Sequence, residues 1–225
     1  LASSDAGATW QSVGAVGRWR DFVFMPDNAN IIYAAKQSSG SSSIYRSNNG
    51  GANWSIIDVG MSGSRYRPLI CVTPGNPNIV YALFSASDYS FHALYKSSDA
   101  GDTWVMQSDA PNILGRDTDG TSTGGQSWYD LSLGVATNNE NLVYVGGINL
   151  WRSNDGGLSW DIDASSGNGS NYSYMHVDQH AFEFNPHTNV AYAGNDGGLY
   201  SYMTNLNTWV DISDGLEISQ FYNLG

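Results

Sequence analysis

An octapeptide of the form S-x-[DN]-x-G-x-x-W recurs along the chain and constrains its fold more than any other feature. Complete copies lie at 3–10, 47–54, 97–104 and 153–160, and a fifth copy ending at Trp209 keeps the tryptophan but lacks the acidic residue and the glycine. The Asp or Asn side chain can accept hydrogen bonds from nearby backbone N–H groups and close a turn. The glycine permits a backbone conformation that a side chain would forbid, and the tryptophan begins a strand and buries a large apolar area. Each copy therefore predicts an anchored β-hairpin.

The residues to which we assign this structural role occupy the same three positions in each complete copy. They are Asp5, Gly7, Trp10, Asn49, Gly51, Trp54, Asp99, Gly101, Trp104, Asp155, Gly157 and Trp160.

The spacing of the octapeptides predicts the architecture. Successive tryptophans of the five copies are 44 to 56 residues apart, and polar turns followed by β-branched and aromatic residues, such as 26–33 and 74–81, precede the octapeptides. A repeat of about 40–50 residues with four strands is typical of a β-propeller blade. We expect an all-β chain built from four-stranded antiparallel blades.

The repeat also divides the chain. Complete blades are predicted at 16–60, 64–108, 126–164 and 174–213, with a partial blade at 1–14 and the first strand of a further blade at 218–225. A propeller closed from these pieces would leave strand edges exposed. We therefore expect a single propeller segment of four complete and two partial blades, from a larger propeller of seven or more blades.

Composition excludes several classes of function. The formal net charge is −12, whereas a general nucleic-acid binder needs a basic face. There is no run of about 18 apolar residues, the length that a transmembrane helix needs. We expect neither nucleic acid nor a membrane span among the interactions of this chain.

The octapeptides resemble the Asp-box (BNR) repeats of sialidases, of sortilin-type receptors and of propeller hydrolases that cleave xyloglucan. The closing motifs at 176–182, 194–200 and 214–222 resemble a set found in secreted bacterial BNR proteins that are described as glycosyl-hydrolase-like. The resemblance implies export to the extracellular space or cell surface of a bacterium, and contact with carbohydrate. A propeller fold does not by itself imply catalysis.

The first strand of each propeller blade lines the central channel, so the first strands and the loops leading into them should carry any site. Arginines and histidines cluster there with aromatic residues between them, a combination suited to stacking on sugar rings and bonding their hydroxyls. The predicted ligand-binding residues are Arg20, Arg67, Trp128, Tyr129, His176, His180 and Tyr222.

Three carboxylates are candidates for catalysis because each lies on or beside a predicted first strand: Asp178, Asp21 and Asp130. Glycoside hydrolysis needs two carboxyl groups roughly 5–9.5 Å apart. The alternative is that each caps a turn or pairs with an arginine, as Asp21 could with Arg20. A sialidase site would need three arginines around one carboxylate and a tyrosine nucleophile; 66–69 resembles the sialidase arginine motif but follows two octapeptides instead of preceding the first.

A metal site is not expected. His176, Asp178 and His180 alternate and would share one face of a strand. Positions i and i+4 of a strand are about 13 Å apart, too far for both imidazoles to bind one ion. We predict no metal and no cofactor.

Two kinds of function remain open at this point. The first is an extracellular propeller that binds or hydrolyses polysaccharide, or a cell-surface glycan, at the channel mouth. The second is a non-catalytic propeller that binds protein or serves as a structural or adhesive component. In either case the partners would include further blades or domains of the same parent chain.

Overall fold

The fold is an all-β arrangement of four propeller blades, as the repeat predicts. The computed structural model describes residues 1–14, 16–167, 169 and 171–216. Each blade is an antiparallel sheet whose four strands follow chain order. Blade 1 comprises β1 (Arg18–Met25), β2 (Asn28–Gln37), β3 (Ser43–Ser47) and β4 (Ser55–Ile56), and blade 2 comprises β5 (Pro68–Val72), β6 (Val80–Ser85), β7 (Phe91–Ser97) and β8 (Val105–Ser108).

Blades 3 and 4 repeat this order. Blade 3 comprises β9 (Ser132–Val135), β10 (Val143–Gly146), β11 (Leu150–Ser153) and β12 (Asp161–Ser165), and the short strand β13 (Ser173–Tyr174) pairs with β12 in parallel. Blade 4 comprises β14 (Gln179–Phe184), β15 (Ala191–Asn195), β16 (Gly198–Met203) and β17 (Thr208–Asp211). Within the described residues there is no helix long and apolar enough to cross a membrane.

The hydrophobic core lies between successive blades. Tyr33 and Ile44 of blade 1 pack with Phe84 and Tyr95 of blade 2, and equivalent clusters join blades 2 and 3 and blades 3 and 4. Strand β6, with the sequence VYALFS, is buried along its whole length because a blade covers each of its faces. The two-sided burial explains why the middle strands are nearly continuous apolar runs.

The octapeptides form closed turns. In the copy at 97–104, Ser97 Oγ donates to Asp99 Oδ1 and accepts from the Gly101 N–H, while Asp99 accepts from the Thr103 N–H at 2.9 Å and from the Thr103 hydroxyl at 2.6 Å. Gly101 has a φ of +91°, a conformation that disfavours any residue with a Cβ. The hydrogen bond from the Thr103 hydroxyl, and to a lesser extent the one from the Thr103 N–H, lowers the pKa of Asp99 to about 2.

Three of the tryptophans join neighbouring blades, whereas Trp54 Nε1 donates to the Gly51 carbonyl of its own turn. Trp104 Nε1 donates to the Ile57 carbonyl, just after the last strand of blade 1. Trp160 Nε1 donates to Ser108 Oγ at 2.9 Å, at the end of the last strand of blade 2. Trp209, from the degenerate fifth copy, donates to Asp163 Oδ2 of blade 3 at 2.7 Å. Each of these three tryptophans thus bonds the outer strand of the preceding blade.

The first strands of the four blades surround a common axis. Asp21 of β1, Cys71 of β5, Leu133 of β9 and Glu183 of β14 line one space of about 360 Å³. The loops that lead into these strands meet at one end of this channel, and the loop at 109–131 between blades 2 and 3 is the longest of them.

His176, Asp178 and His180 do not alternate along one strand before blade 4. Strand β14 begins only at Gln179, so His176 and Asp178 precede it. Asp178 has a φ of +69°, which turns the chain immediately before the strand. The predicted shared face of His176, Asp178 and His180 is therefore wrong, because two of these residues lie on a loop.

Candidate functional site

A polar cleft of about 720 Å³ lies where the loop at 109–131 meets the turns of blade 3 and the chain leading into blade 4. The loop is held in place by Asn112, whose Nδ2 donates to the Ser122 and Gly124 carbonyls and whose Oδ1 accepts from the Phe91 N–H. Buried Ile113 and Leu114 anchor it in the core between blades 2 and 3. The cleft is lined by Arg116, Asp117, Thr118, Asp119, Gln126, Ile148, Asn149, Ser165, Ser166, Gly167, Tyr172, Val177 and Asp178.

Two of the predicted catalytic carboxylates meet at this cleft, with Asp178 in its lining and Asp130 buried behind it. Gln126 Nε2 donates to Asp130 Oδ2 at 2.8 Å and also to Asp178 Oδ1. Asp130 comes from the loop before β9 and Asp178 from the loop before β14. The structure thus brings together two residues that the sequence placed in separate blades, with Gln126 bridging them.

The two carboxyl groups have different environments. Asp130 is only 1% exposed, whereas Asp178 is half-buried and lines the cleft. Burial, opposed by the Gln126 hydrogen bond and assisted by the charge of Asp178 and by a hydrogen bond with it, raises the pKa of Asp130 to about 7. A carboxyl group that keeps its proton at neutral pH can donate a hydrogen bond as well as accept one.

Buried polar atoms without a partner surround this pair. Asp130 Oδ1, Ser127 Oγ, Ser132 Oγ and Arg67 Nε have no hydrogen-bond partner among the described residues. Arg67 Nη1 donates to the Ser127 carbonyl. Burial, with a further contribution from the charge of Arg20, lowers the pKa of Arg67, whereas the charge of Asp130 opposes this. Buried polar groups of this kind are usually paired, so the interior behind the cleft retains unused capacity for hydrogen bonds.

An aromatic rim, formed by Trp128, Tyr129 and His180, includes two rings from the turn that carries Gln126, one of the residues that line the cleft. Trp128 is 60% exposed and packs against Tyr129 with ring centroids 5.5 Å apart. Tyr129 meets the His180 ring edge to face at 4.9 Å. Its hydroxyl donates to Asp196 Oδ2 at 3.0 Å, and His180 Nε2 lies 2.7 Å from Asp196 Oδ1. Asp196 therefore fixes both rings of the rim.

The remaining predicted residues lie elsewhere or outside the described part of the chain. Asp21 faces the channel, where its carboxylate accepts from the Ile70 and Phe22 N–H groups, and burial raises its pKa. Arg20 donates to Gln37 instead of forming the ion pair with Asp21 that the sequence allowed. His176 Nδ1 lies against the Val177 carbonyl. Tyr222 and the strand predicted at 218–225 lie outside the described residues.

Sequence reasoning did not select Gln126 or Asp196 as site residues. Gln126 stands four residues before Asp130, and Asp196 lies in the closing motif at 194–200. No signal in the sequence pairs Gln126 with Asp178, since 52 residues separate them. Across the described ranges, no group of three His, Cys, Asp or Glu side chains is placed to hold a metal ion.

Comparison with known proteins relates the chain to solved propellers. No protein family and no curated protein matches it. Among solved structures, an ancestral GH74 enzyme superposes with a TM-score of 0.62 at 19% identity, covering 95% of this chain and 28% of the enzyme. The GH74 enzyme of Niastella koreensis superposes with a TM-score of 0.53 at 19% identity, covering 86% of this chain and 30% of that one.

A protein described as YCF48 bound to D1 peptide also has a similar fold. Its TM-score is 0.53 at 11% identity, and the match covers 86% of this chain and 54% of that one. The chain therefore spans less than a third of the two GH74 enzymes and about half of the YCF48 chain. These similarities establish the β-propeller fold that it shares with them.

Proposed function

We propose that this chain is part of an extracellular β-propeller that binds a polysaccharide in the cleft at the channel mouth. The observation that carries the proposal is the exposed Trp128–Tyr129 pair on the turn that carries Gln126, since Gln126 and Asp178 line a polar cleft. Aromatic rings stack on the apolar faces of pyranose rings, while amide and carboxylate groups bond the sugar hydroxyls. The similarity of fold to GH74 enzymes supports a glycoside-hydrolase-like propeller.

The two roles in the cleft would be divided between its parts. Trp128 would provide the stacking platform, and Tyr129, held by Asp196, would give that platform a fixed orientation. Asp178 and Gln126 would bond hydroxyls of the sugar that enters the cleft. His180 would contribute from the rim, where it meets Tyr129.

Hydrolysis is a second candidate because Asp130 has its pKa raised to about 7 directly behind Asp178. However, Asp130 and Asp178 both accept from one amide nitrogen, which holds the two carboxyl groups closer together than the roughly 5–5.5 Å of retaining enzymes and the 6.5–9.5 Å of inverting ones. We therefore assign Asp130 and Asp178 to a single catalytic role. The partner carboxylate would come from Asp117 or Asp119, which line the same cleft.

The proposal includes the wider setting of the chain. We take the octapeptides to be Asp-box repeats and the parent protein to be secreted or displayed on a bacterial cell surface. The exposed Trp128, the octapeptide turns and the acidic net charge are all compatible with that location. Further blades would complete the propeller.

The proposed function is tested with the parent protein and a panel of plant and microbial polysaccharides, by measuring both binding and release of reducing ends. We expect binding of at least one polymer, and weaker binding by Asp178→Asn. If the wild-type protein releases reducing ends and Asp178→Asn does not, the proposal extends to hydrolysis. Failure of every polymer to bind would overturn it and favour a peptide ligand, as in the YCF48 complex.

A further inference from the structure

Two carboxyl groups come together at the cleft, with Asp178 in its lining and Asp130 buried behind it. The Asp130 and Asp178 carboxyl groups both accept a hydrogen bond from the same amide nitrogen of Gln126, which holds them next to each other. Two ionised carboxylates have only acceptor oxygens and repel each other, so this arrangement favours a state in which one of them keeps a proton. Asp130 Oδ1 is buried with no donor in the described part of the chain, which makes a full charge on Asp130 costly.

The charged and titratable groups around the pair do not neutralise it. Arg67 faces Asp130 from the loop before β5, but its Nη1 is bonded to the Ser127 carbonyl and its neighbour is another cation, Arg20. From the loop before β14, His176 lies against the Val177 carbonyl, and His180 pairs with Asp196. The other titratable groups of the cleft are Arg116, Asp117, Asp119 and Tyr172. None of the ion pairs between described residues includes Asp130 or Asp178.

We propose that Asp130 and Asp178 hold one proton between them in neutral solution, and that loss of this proton weakens the binding of a neutral polysaccharide in the cleft. The part that concerns binding rests on the proposed function; the shared proton does not. With the proton in place, Asp130 and Gln126 hold Asp178 at the cleft floor, and the pair carries one negative charge. Without it, two adjacent carboxylates repel each other in a poorly solvated position.

Asp178 would then move because it is the more exposed member of the pair. Asp130 is enclosed, whereas Asp178 borders the cleft and lies on a loop with a positive φ. Displacement of its carboxylate toward the cleft would remove the hydrogen bond from Gln126 and occupy space that a sugar needs.

The shared proton is tested without any ligand by carbon NMR of labelled aspartate carboxyl groups during a pH titration. The wild-type protein should show carboxyl signals that titrate between about pH 6 and about pH 8, well above the ordinary range for aspartate. Asp130→Asn should lose this titration, while Asp109→Asn, an exposed change on the same loop, should keep it. If every wild-type carboxyl titrates below about pH 5.5, the proposal is wrong.

The effect on binding is tested with the polymer that binds best, at about pH 5.5 and about pH 8.5. Asparagine at position 130 can donate to Asp178 as a protonated Asp130 would, so it mimics the protonated pair. We expect wild type and Asp109→Asn to bind at least tenfold more weakly at the higher pH, and Asp130→Asn to bind equally at both. A pH dependence that survives in Asp130→Asn, or is absent from wild type, would overturn this effect. If no polymer binds at either pH, the proposed function fails and the NMR titration alone decides the shared proton.

Discussion

At the scale of single residues, the chain uses aspartate in two opposite ways. Asp99 is exposed, and hydrogen bonds from its own turn stabilise its charged form, with a pKa lowered to about 2. Asp130 is enclosed beside another carboxyl group, and burial raises its pKa to about 7. Hydrogen-bond donors within the turn, first among them the Thr103 hydroxyl, favour the ionised form of Asp99, whereas loss of solvent favours the neutral form of Asp130. Asp99 stabilises a turn, whereas Asp130 belongs to the candidate site.

Replacing Asp130 with asparagine should change how stability depends on pH. Because the folded-state pKa lies above the unfolded value, the folded state keeps the proton longer, and this contribution to stability is lost as pH rises from about 4 to about 7. Asp130→Asn should lack that loss and be more stable than wild type at about pH 8, by at most about 4 kcal/mol. Urea unfolding at several pH values measures the free energy of unfolding of both proteins, with Asp109→Asn as the control. Parallel pH profiles for wild type and Asp130→Asn would contradict the prediction.

At the scale of elements, the octapeptide turn acts as a local unit. Its hydrogen bonds join residues two to four positions apart, as those from Ser97 and to Asp99 show. The Ala100 N–H of the same turn donates to the Asn78 carbonyl at 2.9 Å, which joins this local unit to the chain before β6. Its tryptophan then extends the effect by bonding the preceding blade.

Removing the acidic side chain of one turn should destabilise the fold measurably. Asp99→Ala leaves the Thr103 N–H and hydroxyl without their acceptor and should cost about 1–2 kcal/mol at neutral pH. The difference from wild type should shrink as pH falls from about 4 toward about 2, because protonation weakens the native turn in that window. Ser98→Ala, an exposed change in the same turn, should stay within about 0.5 kcal/mol. Equal losses for the two variants in urea unfolding would refute the assigned role of Asp99.

The local character of the turn explains what could be predicted from sequence. The all-β blades follow from a motif whose parts are adjacent in the chain, and the structure confirms them. Which carboxylates would meet did not follow, because Asp130 and Asp178 come together only through the packing of blades 3 and 4 and the path of the loop at 109–131. That loop contains no repeat, and its anchor Asn112 bonds residues 10 and 12 positions away. The positive φ of Asp178, which ended the predicted strand alternation, likewise depends on tertiary contacts.

At the scale of the whole molecule, the blades depend on one another for burial. Each interblade core takes residues from two sheets, and each of Trp104, Trp160 and Trp209 bonds the blade before its own. The candidate site likewise takes its parts from several blades, since Asp130 precedes blade 3, Asp178 precedes blade 4, and Arg67 precedes blade 2. Its geometry therefore depends on the angle between blades.

Weakening one blade junction should show this dependence. Trp209→Phe keeps an aromatic ring but leaves Asp163 Oδ2, on a nearly buried side chain, without its indole donor. It should cost about 1–3 kcal/mol. Trp10→Phe changes a tryptophan that is 60% exposed and should stay within about 0.5 kcal/mol. Urea unfolding of both variants decides the matter, and a loss no larger for Trp209→Phe than for Trp10→Phe would contradict the junction's role.

The central claim is that the channel mouth binds polysaccharide through its aromatic rim. The most direct test is the affinity of wild type, Trp128→Ala and Trp10→Ala for the best polymer of the panel, measured by calorimetry. Trp10 is a matched control because its ring has the same 60% exposure as that of Trp128 but belongs to an octapeptide turn. We predict that Trp128→Ala binds at least about tenfold more weakly, a loss of about 1.4 kcal/mol, while Trp10→Ala binds as wild type does. Unchanged affinity in Trp128→Ala would contradict the account.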